Sequence, residues 1–428
     1  MLLRFSAANF RSINAEQELS LIATTLKGLS EPLVYKREID EAVLPVAAIY
    51  GSNASGKTNV VRAMHFLRGA ISDSQRKWEP QGGIPRQPFM FGNAESKPSR
   101  FEADFLLRGV RYQYGFELDS KEVSEEWIYT YPTGKKQIWL ERSGSTFSFG
   151  RSLTGENRAI QNLTRKNSLF LSAAAQNNHE MLLPIYDWFS TQVHFVRGAR
   201  DRMDVGTARL CSDPAQKNAI ERLLATADLG VTGVKIEEVD IDEEIRKVAT
   251  GLRAVLPDVK LDIPSRTQRI FLNHQIASGE SALLPLHEES NGTIAYFALL
   301  GPVVQALEKG GVLFVDELDT SLHPLLAIEL VKMFNNPASN RKSAQLVFNT
   351  HDTNLLDQRI LRRDQVWFTE KDEEGATHLY PLSDFTTRPQ ENIESGYLQG
   401  RYGAIPFLGA NEYIREYLAS REFSGTRG

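Results

Sequence analysis

Residues 51–58 read Gly-Ser-Asn-Ala-Ser-Gly-Lys-Thr, the spacing G-x-x-x-x-G-K-[ST]. A loop of this kind wraps the phosphates of a nucleoside triphosphate. Gly51 and Gly56 let the backbone N–H groups of Ser52, Asn53, Ala54 and Ser55 approach an anion closely. Lys57 has the length to reach the β- and γ-phosphates, and Thr58 offers a hydroxyl to Mg2+. Asn59 is counted with the same nucleotide-binding set. A second group lies some 260 residues on. Asp316 and Glu317 close the apolar run Val312–Val315, where the first suits the Mg2+ shell and the second can polarise an attacking water. Asp319 follows within Asp319-Thr320-Ser321-Leu322-His323-Pro324. His351 ends the next apolar run and would bring an imidazole near a γ-phosphate. Ser290, Asn291, Gly292 and Thr293 sit at an expected helix start, with N–H groups suited to a second phosphate contact. Each piece alone has an ordinary explanation, since strands often end in an acid and a strand-end His is commonly structural. The order in which they occur points to one site.

The elements that must position these groups are legible. Residues 43–50 form an apolar run expected to be a buried strand, and 58–69 a helix, so the glycine loop has the strand–loop–helix context it needs. Residues 312–316 and 344–350 are predicted strands joined by a helix over 322–334, a βαβ unit beside the first strand. Residues 2–10 and 17–23 alternate as paired strands around the turn Asn9-Phe10-Arg11-Ser12. Arg11 in that turn is a candidate nucleotide contact. Residues 71–100 read as loop, and five aromatic-rich alternating segments over 101–149 as an antiparallel meander. Its aromatics suit strand-face packing better than a base-stacking platform. Residues 159–190 and 214–227 are helical in pattern, 231–239 a strand, 241–256 a short helix and 294–309 a helix. Strands near 364–370 and 377–382, a helical piece at 390–399 and a last helix near 410–420 complete the tail.

Composition narrows the function. At 428 residues, 41% apolar and 24% charged, the chain is long enough for two or three domains or one large one with an insertion. Net charge is −5, which gives no global electrostatic case for nucleic acid. Arg197, Arg200 and Arg202 form a local basic cluster that reads as a solvated face. The single cysteine, Cys211, cannot form an internal disulfide, so a cytoplasmic, reducing location is expected. The apolar run Ile294–Leu307 is too short to span a bilayer, and Met1–Phe5 does not open a signal peptide, so no membrane association is expected.

Taken together, these motifs resemble the ABC-type ATPases of the SMC, RecF and OLD class. Asp316-Glu317-Leu318-Asp319 through Leu322-His323-Pro324 resembles the Walker B segment and D-loop, and Asn9–Ser12 the N-terminal nucleotide-contacting turn. Ser290–Thr293 occupies the place of the LSGGQ signature with its glycines only partly kept, and His351 matches the switch histidine. Gln87 is taken as the Q-loop glutamine and metal contact. The resemblance covers 1–110 and 275–385. It implies an α/β fold: a P-loop ABC-type head with an antiparallel meander lobe, a short helical insertion and no long coiled coil. The expected division is 1–150, 151–278 (mainly helical) and 279–428. The chain is also similar to stand-alone ATPases of bacterial abortive-infection and phage-defence operons, the AbiLi/RloA and PARIS AriA type, on Asp364–Lys371 and Gly400–Pro406. That resemblance implies ATP, Mg2+, a homodimer or higher homo-oligomer, and a separate effector such as a Toprim-type nuclease or toxin. The other readings are a RecF-like DNA-repair ATPase, an OLD-like nuclease in one chain and a transporter subunit. Net charge and missing arms count against the first, and the lack of a D-x-D pair after His351 against the second. The atypical signature counts against the third.

Overall fold

The computed structural model describes residues 1–25, 32–196, 205–227, 229–240, 266–276, 278–386 and 391–406. Arg197, Arg200, Arg202 and the helices expected over 241–256 and 410–420 lie outside them. Two large sheets organise the rest.

The first sheet starts with β1 (Leu2–Ala8) and β2 (Gln17–Ser20), paired antiparallel. A small hairpin, β3 (Val34–Lys36) and β4 (Glu41–Val43), leads to β5 (Val46–Gly51), the strand before the glycine loop. That strand begins three residues later than the apolar run suggested. Pro45 has no N–H to donate, and the chain turns there from one pairing to the next. The helix after the loop, α1 (Lys57–Asp73), runs past Gly69 instead of ending there, because buried Ala70 and Ile71 continue its apolar face. The meander follows as β6 (Ser99–Leu107), β7 (Val110–Leu118), β8 (Val123–Tyr131), β9 (Gln137–Ser143) and β10 (Thr146–Phe149). It does not stand alone. Strand β1 pairs with β6, Phe5 opposite Ala103, to give the order β10-β9-β8-β7-β6-β1-β2.

Residues 151–278 hold α2 (Asn157–Leu163), α3 (Phe170–Gln176), α4 (Leu183–Gln192), β11 (Val193–Val196), α5 (Val205–Leu210) and α6 (Pro214–Thr226). They also hold β12 (Val231–Asp240) and β13 (Arg266–Gln275), which join β14 (Ser281–Pro285) in a three-stranded antiparallel sheet. This stretch contains more strand than a mainly helical pattern predicts. The side chains of Ser281–Leu284 are exposed, so β14 lacks the apolar alternation that marks a strand. The last part is α7 (Asn291–Lys309), β15 (Val312–Val315), α8 (Pro324–Asn335), β16 (Gln345–Asn349), β17 (Val366–Lys371), β18 (Thr377–Pro381) and α9 (Ile393–Leu398). The second sheet runs β11-β15-β16-β5-β17-β18, all neighbours parallel except the β17–β18 hairpin.

The parallel sheet is covered on both faces, which is why its strands are continuously apolar. Ala47 and Ile49 of β5 and Phe314 of β15 face a core shared with α1, α4 and the antiparallel sheet. Ala48 and Tyr50 of β5 and Leu313 of β15 face a second core under α7 and α8. Buried Gln345 joins the two sheets. Its Oε1 accepts the Leu2 N–H at 2.6 Å, and its Nε2 donates to the carbonyls of Leu2 at 2.8 Å and Leu44 at 3.2 Å. The fold is α/β, an antiparallel lobe on a P-loop head, and among the described residues there is no long coiled coil.

Candidate nucleotide and metal site

The glycine loop leaves β5 at the carboxyl edge of the parallel sheet, where such folds bind ligands. Its shape is set by small residues and by two threonines from the neighbouring hairpin. Gly56 has φ 113°, and a Cβ there would lie 2.1 Å from Thr377 Oγ1. Thr377 Oγ1 donates to the Ser55 carbonyl at 2.8 Å, and Thr369 Oγ1 meets Ser55 Oγ at 2.7 Å. The loop is therefore clamped from behind while its front stays open. Ala54 adopts a positive φ of 63° without being glycine, a strain typical of ligand clamps.

In front lies a cavity of about 350 Å³ whose walls include Asn53, Gly56, Lys57, Thr58, Asn59, Glu317 and His351. Lys57 Nζ donates to the carbonyls of Gly51 at 2.8 Å and Ser52 at 3.0 Å. Burial pulls its ammonium down to about 8, against the attraction of Asp319, Glu317 and Asp316. Thr58 Oγ1 donates to Asp316 Oδ1 at 2.9 Å, so residues 258 positions apart meet. This pair fits Mg2+, which takes one or two protein oxygens and fills its octahedron with phosphate oxygens and waters. Among the described residues there is no cluster of three or more His, Cys, Asp or Glu that could hold a metal ion.

Glu317 is exposed and has a positive φ of 58° at the turn leaving β15, which aims its carboxylate into the cavity wall. Thr320 Oγ1 donates to Glu317 Oε2 at 3.2 Å. The backbone N–H of His351 donates to Asp319 Oδ2 at 3.2 Å, while Asp319 Oδ1 is buried with no hydrogen-bond partner among the described residues. Burial, then the Lys57 charge, hold the His351 imidazolium below its usual range against Asp319 and Glu317. At neutral pH the ring is an uncharged donor and acceptor.

Gly51–Asn59, Asp316, Glu317, Asp319 and His351 thus form one locus. Arg11, Gln87 and Ser290–Thr293 are not among the residues lining the cavity. The Asn9–Ser12 turn reaches the site through its serine: Asn59 Nδ2 donates to Ser12 Oγ at 2.7 Å, and Ser12 Oγ meets Thr377 Oγ1 at 2.7 Å. Arg11 has φ 53°, and its N–H donates to the Gln87 carbonyl at 2.7 Å. Gln87 is exposed, and its carbonyl, not its amide, makes that contact. Ser290 caps α7, its Oγ accepting the Thr293 N–H at 3.1 Å, and Gly292 lies against the Ser321 carbonyl. Glu289 just before it accepts from His274 Nε2 at 2.6 Å, so the three-stranded sheet holds this helix start in place.

Asn349 escaped the sequence reading. It is fully buried, its Nδ2 donates to Asp316 Oδ1 at 2.5 Å and its Oδ1 accepts the Glu317 N–H. Its backbone carbonyl accepts the Leu318 N–H at 3.0 Å. One side chain on β16 therefore holds the Asp316 carboxylate and the Glu317 backbone. Thr369 and Thr377 were also missed, and no local pattern announces them. A polar residue closing an apolar strand next to His351 is the one signal that could have marked Asn349.

Residues 46–357 match the family described as "AAA domain, putative AbiEii toxin, Type IV TA system". The chain belongs to that family. The matched stretch of the AAA domain begins at β5 and ends just after His351, leaving β1 to β4, β17 and β18 outside it. Among solved structures the AAA-domain chain is similar to an Smc head bound to the C-winged helix domain of ScpA. Identity is 14%, coverage 89% of this chain and 97% of that one, and TM-score 0.41. It is also similar to an Smc head with an extended coiled coil bound to the C-terminal domain of ScpA, derived from Pyrococcus furiosus. There identity is 12%, coverage 94% and 98%, and TM-score 0.42. No curated protein matches. Among the described residues, no helix is long and apolar enough to cross a membrane.

Proposed function

We propose that this AAA-domain protein binds Mg2+–ATP in the cavity before the glycine loop and hydrolyses it. The observation that carries this reading is the meeting of Thr58 with Asp316 beside Lys57, Glu317 and His351. The loop N–H groups and Lys57 hold the β- and γ-phosphates. When bound, Mg2+ would be held by Thr58 and Asp316 and would offset phosphate charge. The Glu317 carboxylate takes a proton from water as its oxygen forms a bond to the γ-phosphorus. The bond from that phosphorus to the β–γ bridging oxygen breaks, and its electrons stay on ADP. His351 hydrogen-bonds the γ-phosphate.

Ser290 and Asn291 are exposed at the start of α7, off the cavity of their own chain. In this reading they cap the nucleotide held by a second copy, so that ATP joins two heads in a homodimer or larger homo-oligomer and hydrolysis parts them. The buried, unpaired Asp319 Oδ1 supports it, being an acceptor waiting for a donor. The proposed unit is 1–150 and 279–428 as two halves of the head with 151–278 inserted. The proposed role is cytoplasmic: the nucleotide state restrains or releases a separate nuclease or toxin in anti-phage defence, in keeping with the toxin–antitoxin description of the family.

The test pairs two variants. Lys57→Ala loses nucleotide binding. Glu317→Gln binds Mg2+–ATP, does not turn it over, and sediments as a dimer. Native-rate hydrolysis by Glu317→Gln removes the role given to that carboxylate, and a monomer at saturating Mg2+–ATP removes the dimer.

A further inference from the structure

Three cations line the phosphate cavity: Lys57, Arg62 on α1 and Lys371 at the end of β17. Strand β17 lies beside β5 in parallel register, Thr369 opposite Gly51, so Lys371 stands two residues beyond the start of the loop. It lies outside the stretch that matches the family. Its position is held firmly. Thr369 bonds Ser55, Lys371 pairs with Thr377 across the hairpin, and Thr377 bonds the Ser55 carbonyl and Ser12.

The neighbours of Lys371 are committed elsewhere. Glu370 accepts from Tyr380, and Asp372 pairs with His378. Lys371 itself makes no hydrogen bond or ion pair among the described residues, nor does Arg62. A lone exposed lysine is normally a solvated surface charge. This one faces a cavity that already contains Lys57 and Arg62, with Glu317 as the one lining carboxylate among the described residues. Like charges gathered round one small space repel unless a multiply charged anion occupies it. Strands β16 and β17 flank β5 on opposite sides. The cavity therefore has a hydrolytic wall bearing Glu317 and His351, and a facing wall bearing Lys371.

We infer that Lys371 is a second phosphate-binding cation, holding the nucleotide's polyphosphate from the wall opposite Glu317 and His351. The inference rests on the reading of this cavity as an ATP site.

The experiment measures affinities for ATP and ADP by fluorescence titration at low salt, comparing wild type with Lys371→Met, Lys371→Arg and Lys57→Ala. Lys371 is exposed at a strand end, so its replacement leaves the fold intact, checked by an unchanged melting temperature. Loss of a charge-assisted contact weakens binding by roughly tenfold or more. A loss for both nucleotides places the ammonium on phosphates kept in ADP, and a loss for ATP alone places it on the γ-phosphate. Either supports the inference, and Lys371→Arg restores most of the affinity. Lys371→Met binding ATP as tightly as wild type, while Lys57→Ala does not bind, overturns this inference alone. Retained binding by Lys57→Ala overturns the reading of the cavity instead.

Discussion

Replacing Asn349 tests whether the two carboxylates after β15 work because they are held. In Asn349→Ala the side chain that donates to Asp316 at 2.5 Å and accepts the Glu317 N–H disappears from a fully buried position. The hydrogen bond to the charged Asp316 carboxylate contributes about 1.5–3 kcal/mol. If that loss falls on the barrier, turnover drops roughly 10- to 150-fold. The glycine loop, Lys57 and the two clamping threonines are untouched, so ATP affinity stays within about threefold. The Thr58–Asp316 pair keeps its hydroxyl bond but loses its anchor, so half-saturation in Mg2+ moves to higher concentration. Asn349→Asp is more severe, because it sets a carboxylate against Asp316. The assay is steady-state phosphate release against ATP and Mg2+, with ATP binding measured separately. Turnover by Asn349→Ala within threefold of wild type, with binding intact, would refute the idea that turnover depends on this amide holding Asp316 and the Glu317 backbone.

Other consequences follow from the same geometry. Gly56→Ala forces a Cβ into Thr377 at a φ that disfavours any side chain, so phosphate binding is lost, and Thr377→Ser does not rescue it because the strain remains. Titration calorimetry with ATP or a non-hydrolysable analogue checks both variants. The Lys57 ammonium, near 8 when the cavity is empty, is driven back to its charged form by a polyanion. ATP binding therefore takes up protons, and affinity is on its plateau below pH 7 and lower by ~tenfold at pH 9. A flat affinity from pH 7 to 9 would count against a protonated Lys57 in the complex.

What was legible in the chain was local. The glycine loop, the acid-ended strand and the strand-end histidine each declare themselves within eight residues. The order of β15, α8 and β16 then places them at one sheet edge. The meander was readable because its aromatic positions alternate. Partnerships made across the whole chain were not readable. Nothing in residues 2–8 says that they pair with 100–105, and nothing in Thr369 or Thr377 says that they will back a loop three hundred residues earlier. Asn349 belongs to the same class, since a buried amide reveals its purpose only when its neighbours are known. Gln87, a polar residue at a plausible distance from the loop, meets the Asn9–Ser12 turn through its backbone carbonyl.

Gln345 has a mechanical meaning. With three hydrogen bonds to backbone groups of Leu2 and Leu44, it rivets the antiparallel lobe to β16, the strand beside β5. A hinge cannot open there without stranding amide groups in a dry interior. If hydrolysis parts two copies as proposed, the antiparallel lobe travels with its own head, and a label on the outer hairpin of the meander reports how the copies travel relative to each other.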